Sequence, residues 1–171
     1  INADQTGLAL VPVGKRSYKI LGSKSVAVFG TDDRRQLTLL PGCACDGEIL
    51  PIQFIFGGLT VASLPLEADM QPLVDKGCMF SFTENHWSTL ATMCAWVDGI
   101  LVVFLLKRKE ELKLPPNQTC LLLIDEWPVH KCAEFRGYIS EKYPWILVKY
   151  IPAGCTSVKQ PCDVGIQKPL K

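Results

Sequence analysis

The sequence predicts a mixed α/β fold: a five-stranded sheet, made of an antiparallel meander plus two parallel strands, flanked by helices. Three observations point to it. Short apolar runs punctuated by Gly and Pro fill the chain up to Phe56. A long apolar stretch over residues 87–106 follows, with helical spacing in its first half. Beyond it, apolar runs at 120–124 and 145–151 alternate with helix-like segments, the order that produces parallel strands joined by crossovers.

Each element has its own signal. Residues 1–4 read as a strand entering a turn at Thr6-Gly7. Residues 12–30 are basic, Gly-containing and irregular. Leu37-Thr38-Leu39-Leu40 and residues 49–56 flank Asp46-Gly47, a dipeptide that marks a hairpin between apolar runs. Pro51 lacks an N–H and argues for an edge position for the second of these strands. Residues 59–82 read as loop or short strands, with Pro65 and Pro72 as breakers. Thr83 or Asn85 is the expected cap of a helix that runs past Leu101 to Lys107-Arg108-Lys109, cations suited to a helix C-terminus. The continuous apolar run 120–124 suits a central strand covered on both faces. A helix over 130–142 follows, ended by Pro144. Then come a strand over 145–151, a turn at Pro152-Ala153-Gly154 and a short helix over 160–170.

At 171 residues the chain fits one domain with a substantial core. Apolar residues are 48% and charged residues 20%, which excludes a disordered chain. The formal charge is only +1, so any contact with DNA must come from local patches, such as Lys15, Arg16, Lys19 and Lys24, or from another domain. The eight cysteines are scattered, form no Cys-x-x-Cys pair and have only His86 and His130 as companions. That pattern argues against a zinc module and for reduced, mostly buried thiols of an intracellular protein. Asp98 lies inside the 87–106 stretch, and a central carboxylate is expensive in lipid. The stretch therefore reads as a core helix rather than a membrane span.

The chemistry points to three separated aspartates. Asp4 closes the first strand, Asp125 follows the apolar run 121–124, and Asp163 opens the last helix in Gln160-Pro161-Cys162-Asp163. In the predicted topology Asp4 and Asp125 reach one edge of neighbouring parallel strands, where sites in such sheets gather, and Asp163 can fold over it. An aspartate after a strand ordinarily caps a helix or makes a turn. Three carboxylates brought together can hold two divalent cations, the equipment for cutting phosphodiester bonds. His130 either contacts phosphate or orients a carboxylate, or else caps its helix. Gln160 and Thr156 contact DNA or order the loop before Asp163. Trp87, Trp96, Trp127 and Trp145 read as core residues, with Trp127 placed beside Asp125, where it could stack on a base.

These frames resemble the DDE superfamily endonucleases, and within them the pogo-like branch of the Tc1/mariner transposases, with its jerky-type and centromere-protein-B-type relatives. The matching pieces are Asn2-Ala3-Asp4-Gln5-Thr6-Gly7, Arg35-Gln36-Leu37-Thr38, Cys45-Asp46-Gly47-Glu48-Ile49-Leu50-Pro51, Asn85-His86-Trp87, Leu122-Leu123-Ile124-Asp125 with His130, and residues 151–157 leading into Gln160-Pro161-Cys162-Asp163-Val164-Gly165. Gln5 stands where the family usually has Glu, and Glu126-Trp127 replaces small or polar residues. The resemblance implies a ribonuclease-H-like fold and a single catalytic domain over 1–171, a piece of a longer protein with its DNA-binding region upstream. It implies that Asp4, Asp125 and Asp163 hold two Mg²⁺ or Mn²⁺ ions, with Asp4 bridging. It further implies DNA partners at transposon ends and target, action as a homodimer, and a nuclear location. No membrane or small-molecule cofactor is expected. The alternative is a domesticated, transposon-derived protein that binds DNA without cutting it.

Overall fold

The first strand is split in two. β1 (Asn2–Ala3) and β2 (Thr6–Ala9) lie on either side of Asp4-Gln5 and join different sheets in this computed structural model, which describes residues 1–9, 36–152 and 160–170. The expected turn at Thr6-Gly7 is instead strand, paired residue by residue with the next one. A second split falls at Pro41, between β3 (Gln36–Leu40) and β4 (Gly42–Cys43). Proline has no N–H to give a ladder, so a sheet can change there without leaving a donor stranded.

The remaining strands are β5 (Gln53–Gly57), β6 (Met79–Thr83), β7 (Cys120–Asp125) and β8 (Ile146–Ile151). One sheet runs β4-β1-β7-β8, with β1, β7 and β8 parallel and β4 antiparallel to β1. The other runs β2-β3-β5-β6, an antiparallel meander closed by a parallel pair, β5 with β6. The expected single five-stranded sheet is thus corrected to eight short strands in two four-stranded sheets among the described residues. The two splits and the unforeseen β6 account for the difference. Because β6 flanks β5, Pro51 does not mark an edge strand; it lies two residues ahead of β5, which is paired on both sides. The turn at Asp46-Gly47 does form, with Gly47 at φ +92° and the Ala44 N–H donating to the Glu48 carbonyl at 2.8 Å.

Helix α1 (Glu67–Val74) contains Pro72, the expected breaker, and buries none of its residues. Thr83 closes β6 and Asn85-His86 turn the chain, so neither Thr83 nor Asn85 caps the long helix. Thr89 does, in a reciprocal capping box with Thr92. The helix runs through α2 (Leu90–Trp96), a π-helical turn (Val97–Leu101) and α3 (Val102–Glu111). By length and composition it could cross a membrane. Here Met93, Trp96, Ile100 and Leu101 are fully buried and share one core with Leu122, Ile124, Phe135 and Ile139. Asp98, in the π-turn, accepts hydrogen bonds from Tyr138 at 2.6 Å, Tyr143 at 2.7 Å and Lys142 Nζ at 2.6 Å. Gly99 lets the helix press on β6, since a Cβ there would lie 2.6 Å from Met79 Sδ.

The expected helix over 130–142 is broken. Cys132, extended at ψ 150°, separates α4 (Pro128–Lys131) from α5 (Ala133–Lys142), and its thiol accepts the Phe135 N–H at 3.4 Å. The chain ends in a π-helical turn (Cys162–Ile166) and α6 (Gln167–Leu170). All seven described cysteines are free, but only Cys43 and Cys162 are buried, so the expectation of mostly buried thiols is corrected. Cys155, Thr156 and the basic stretch from Lys15 to Lys24 lie outside the described residues.

Candidate active site

The two sheets part at Asp4, and the site is built there. Asp4 follows β1, its N–H donates to the Pro41 carbonyl at 3.2 Å, and the residue is buried. Asp125 is the last residue of β7, the strand parallel to β1, so both carboxylates emerge at the same sheet edge. Asp163 is the second residue of the π-turn that folds over that edge.

The side chains interact. Asp163 lies within hydrogen-bonding reach of Asp4, and Asp125 acts on Asp4 through its charge. Burial, then the Asp163 and Asp125 carboxylates, push the Asp4 carboxyl up to about 8. Gln167 opposes this by donating from Nε2 to Asp4 Oδ2. Among the described residues, no group of three or more His, Cys, Asp and Glu side chains stands already gathered as a metal-ligand cluster. What is present is a close acidic pair with a third carboxylate at charge range. Such a set carries an unmet demand for positive charge, and oxygen donors of this kind suit hard divalent cations.

Asp125 is held from behind. His130, fully buried in α4, has Nδ1 2.7 Å from Asp125 Oδ1. Its Nε2 lies 3.4 Å from Gln5 Nε2. An imidazole protonated on Nδ1 satisfies both: it donates to the carboxylate and accepts from Gln5. The Tyr150 hydroxyl fixes the same segment by donating to the His130 carbonyl at 2.8 Å.

Two residues were missed by sequence reasoning. Asn2 is buried, and its Nδ2 donates to the Leu123 carbonyl at 3.1 Å while its Oδ1 accepts the Cys162 N–H at 2.9 Å. It therefore ties together three segments, each within two residues of one aspartate. Gln167, on Asp4, is the other. The only sequence signal was position: a carboxamide two residues before the first aspartate and one four residues after the third.

The other candidates fall as follows. Gln160 is fully buried, with neither side-chain polar atom partnered among the described residues. Trp127 is half-buried two residues past Asp125 and packs against Trp87, with ring centroids 5.7 Å apart. Trp96 is core, but Trp87 is 42% exposed, which corrects its assignment to the core. Thr156 lies outside the described residues.

A family model described as DDE superfamily endonuclease matches residues 34–171. No curated protein matches the chain. Among solved structures, the chain is similar to one described as "Mos1 transposase paired-end complex with left transposon end", with a TM-score of 0.54 and 14% identity. That match covers 99% of this chain but 40% of the other, so this chain spans less than half of its structural neighbour. At that identity the likeness is one of fold.

Proposed function

We propose that this chain, which belongs to the DDE superfamily endonuclease family, is a single ribonuclease-H-like catalytic domain of a DNA transposase of the pogo-like type. It would hydrolyse phosphodiester bonds at transposon ends and pass the freed 3′-hydroxyl to target DNA. The observation that carries this reading is the convergence of the three aspartates: Asp4 and Asp125 leave the same end of the parallel strands β1 and β7, and Asp163 comes within hydrogen-bonding reach of Asp4. Isolated turn-forming aspartates do not face one another in this way.

Asp4, Asp125 and Asp163 would hold two divalent cations, Mg²⁺ or Mn²⁺. When bound, these ions supply a more acidic attacking water or hydroxyl and neutralise charge on the leaving oxygen. The chain's own residues supply position. His130 fixes the Asp125 carboxylate, Gln5 fixes His130, Gln167 holds Asp4, and Asn2 sets the three carriers of the aspartates against one another. Burial of Asp4 excludes bulk water from the centre of the group. DNA as partner accords with the family and with the transposon end in the neighbour's complex. Two copies on paired ends, in a nucleus, extend the same reading.

The test is nicking of plasmid DNA by the purified protein in Mn²⁺. Nicking should occur and should vanish in Asp4→Asn, Asp125→Asn and Asp163→Asn. Activity that survives Asp125→Asn rejects the triad. DNA binding with no nicking by the wild type would favour the domesticated, non-cutting relative.

A further inference from the structure

We propose that His86, Trp87 and Trp127 form a stacking platform for an unpaired nucleobase of the DNA strand lying beside the carboxylate site. This deepens the transposase reading and rests on it. The three rings form a ladder. His86 and Trp87 have centroids 4.9 Å apart at 37°, and Trp87 and Trp127 have centroids 5.7 Å apart at 28°. They come from different sheets: His86-Trp87 from the turn after β6, Trp127 from the link between β7 and α4. Trp127 is two residues beyond Asp125, so the ladder leads from the surface toward the acidic group.

A large aromatic residue that packs only for stability is normally covered. Trp87 stays 42% exposed although His86 and Trp127 both lie against its ring. Its backbone is fixed from both directions: its N–H donates to Asn85 Oδ1 at 3.3 Å, and its carbonyl accepts the Thr83 hydroxyl at 2.9 Å. His86 is held in the left-handed region at φ +60°, with Nδ1 3.1 Å from Thr38 Oγ1. Non-glycine residues are kept in that region only where their surroundings over-determine them, often at functional positions. Burial lowers the His86 imidazole below its ordinary value of 6.5, so the ring is uncharged at neutral pH and stacks as a plain aromatic. The platform is thus fixed in place and partly exposed before any ligand arrives.

The chemistry selects the ligand. A flat, neutral aromatic face recognises another π-face, and every nucleobase has one. Bases inside a duplex are already stacked, so the base that can land here is one freed from its pair.

The experiment measures binding without cleavage. A fluorescein-labelled single-stranded decamer, and the same decamer carrying abasic residues, are titrated with protein in EDTA and followed by anisotropy. The wild type should prefer the intact decamer. Trp87→Ala should weaken binding of the intact decamer about tenfold, and Trp87→Phe should stay near wild type. The abasic decamer should bind equally to all three proteins. Circular dichroism checks the fold of each variant. Equal affinity of wild type and Trp87→Ala for the intact decamer overturns the platform. So does a Trp87→Phe loss as large as that of Ala, equal binding of intact and abasic decamers by the wild type, or no wild-type binding. Asp125→Asn should keep the decamer preference while losing nicking in Mn²⁺. A preference for intact DNA with no wild-type nicking rejects the nuclease alone, and nicking without that preference rejects the platform alone.

Discussion

Asn2 accepts the Cys162 N–H at 2.9 Å across 160 residues of chain. With the bond from its Nδ2 to the Leu123 carbonyl, this one carboxamide fixes the spacing of β1, β7 and the last π-turn. Replacing it by Ala leaves the buried Cys162 N–H without its acceptor and removes a side-chain bond to the Leu123 carbonyl. Asn2→Ala should cost about 2–3 kcal/mol and lower the midpoint of thermal unfolding by roughly 5–10 °C. A loss under about 0.5 kcal/mol in urea unfolding would mean that the clamp does not set the spacing.

His130 holds Asp125 by a hydrogen bond and offers Gln5 an acceptor. His130→Ala should reduce Mn²⁺-dependent nicking about 10- to 100-fold, the range for groups that orient metal ligands. Raising the Mn²⁺ concentration should recover part of the loss. An unchanged rate at every concentration would show that Asp125 needs no orienting partner.

The Asp4 carboxyl ionises near 8 in the folded chain, against 3.8 for an ordinary one. In metal-free buffer the unfolded state therefore loses this proton first as pH rises. The protonated Asp4 favours folding fully below about pH 4, and that contribution is lost progressively up to about pH 8. Asp4→Asn should remove this slope, so that its melting temperature gains on the wild type between pH 5 and pH 8. Divalent cation should raise the wild-type melting temperature at pH 8 and leave Asp4→Asn nearly unmoved. Parallel pH profiles in EDTA would contradict the assignment.

Gly99 marks where the long helix meets β6, with Met79 Sδ 2.6 Å from any added Cβ. Gly99→Ala should destabilise by about 1–2 kcal/mol through overpacking. Met79→Ala in the same chain should relieve the clash, so the two changes together should cost less than their sum. Strict additivity in chemical denaturation would place the strain elsewhere.

The strand that ends in Asp125 was legible because its signal is local: a continuous apolar run, then a carboxylate. The Asp46-Gly47 turn was legible for the same reason. The Asn2 clamp was not, since a buried carboxamide and an exposed one look alike in a sequence and only tertiary contact separates them. The splits at Asp4 and Pro41 were missed because the sheet a short strand joins is fixed by its pairing partners, not by its own residues. Thr89 outcompeted Thr83 and Asn85 as the cap because β6 consumes Thr83 and the turn consumes Asn85, a choice fixed by pairing with β5 rather than by propensity.

The clamp and the Gln167–Asp4 contact join residues 160 and 163 positions apart. A ribosome adding about 5–20 residues per second makes Asn2 roughly 10–30 s before Gln167. Throughout that interval the first aspartate has neither its acidic neighbour nor its amide partner. Vectorial synthesis thus imposes a delay: the nascent chain can build the meander of β2, β3 and β5 early, yet the three carboxylates cannot meet until the segment carrying Asp163 has been made. The acidic group is therefore assembled late, from segments made far apart in time.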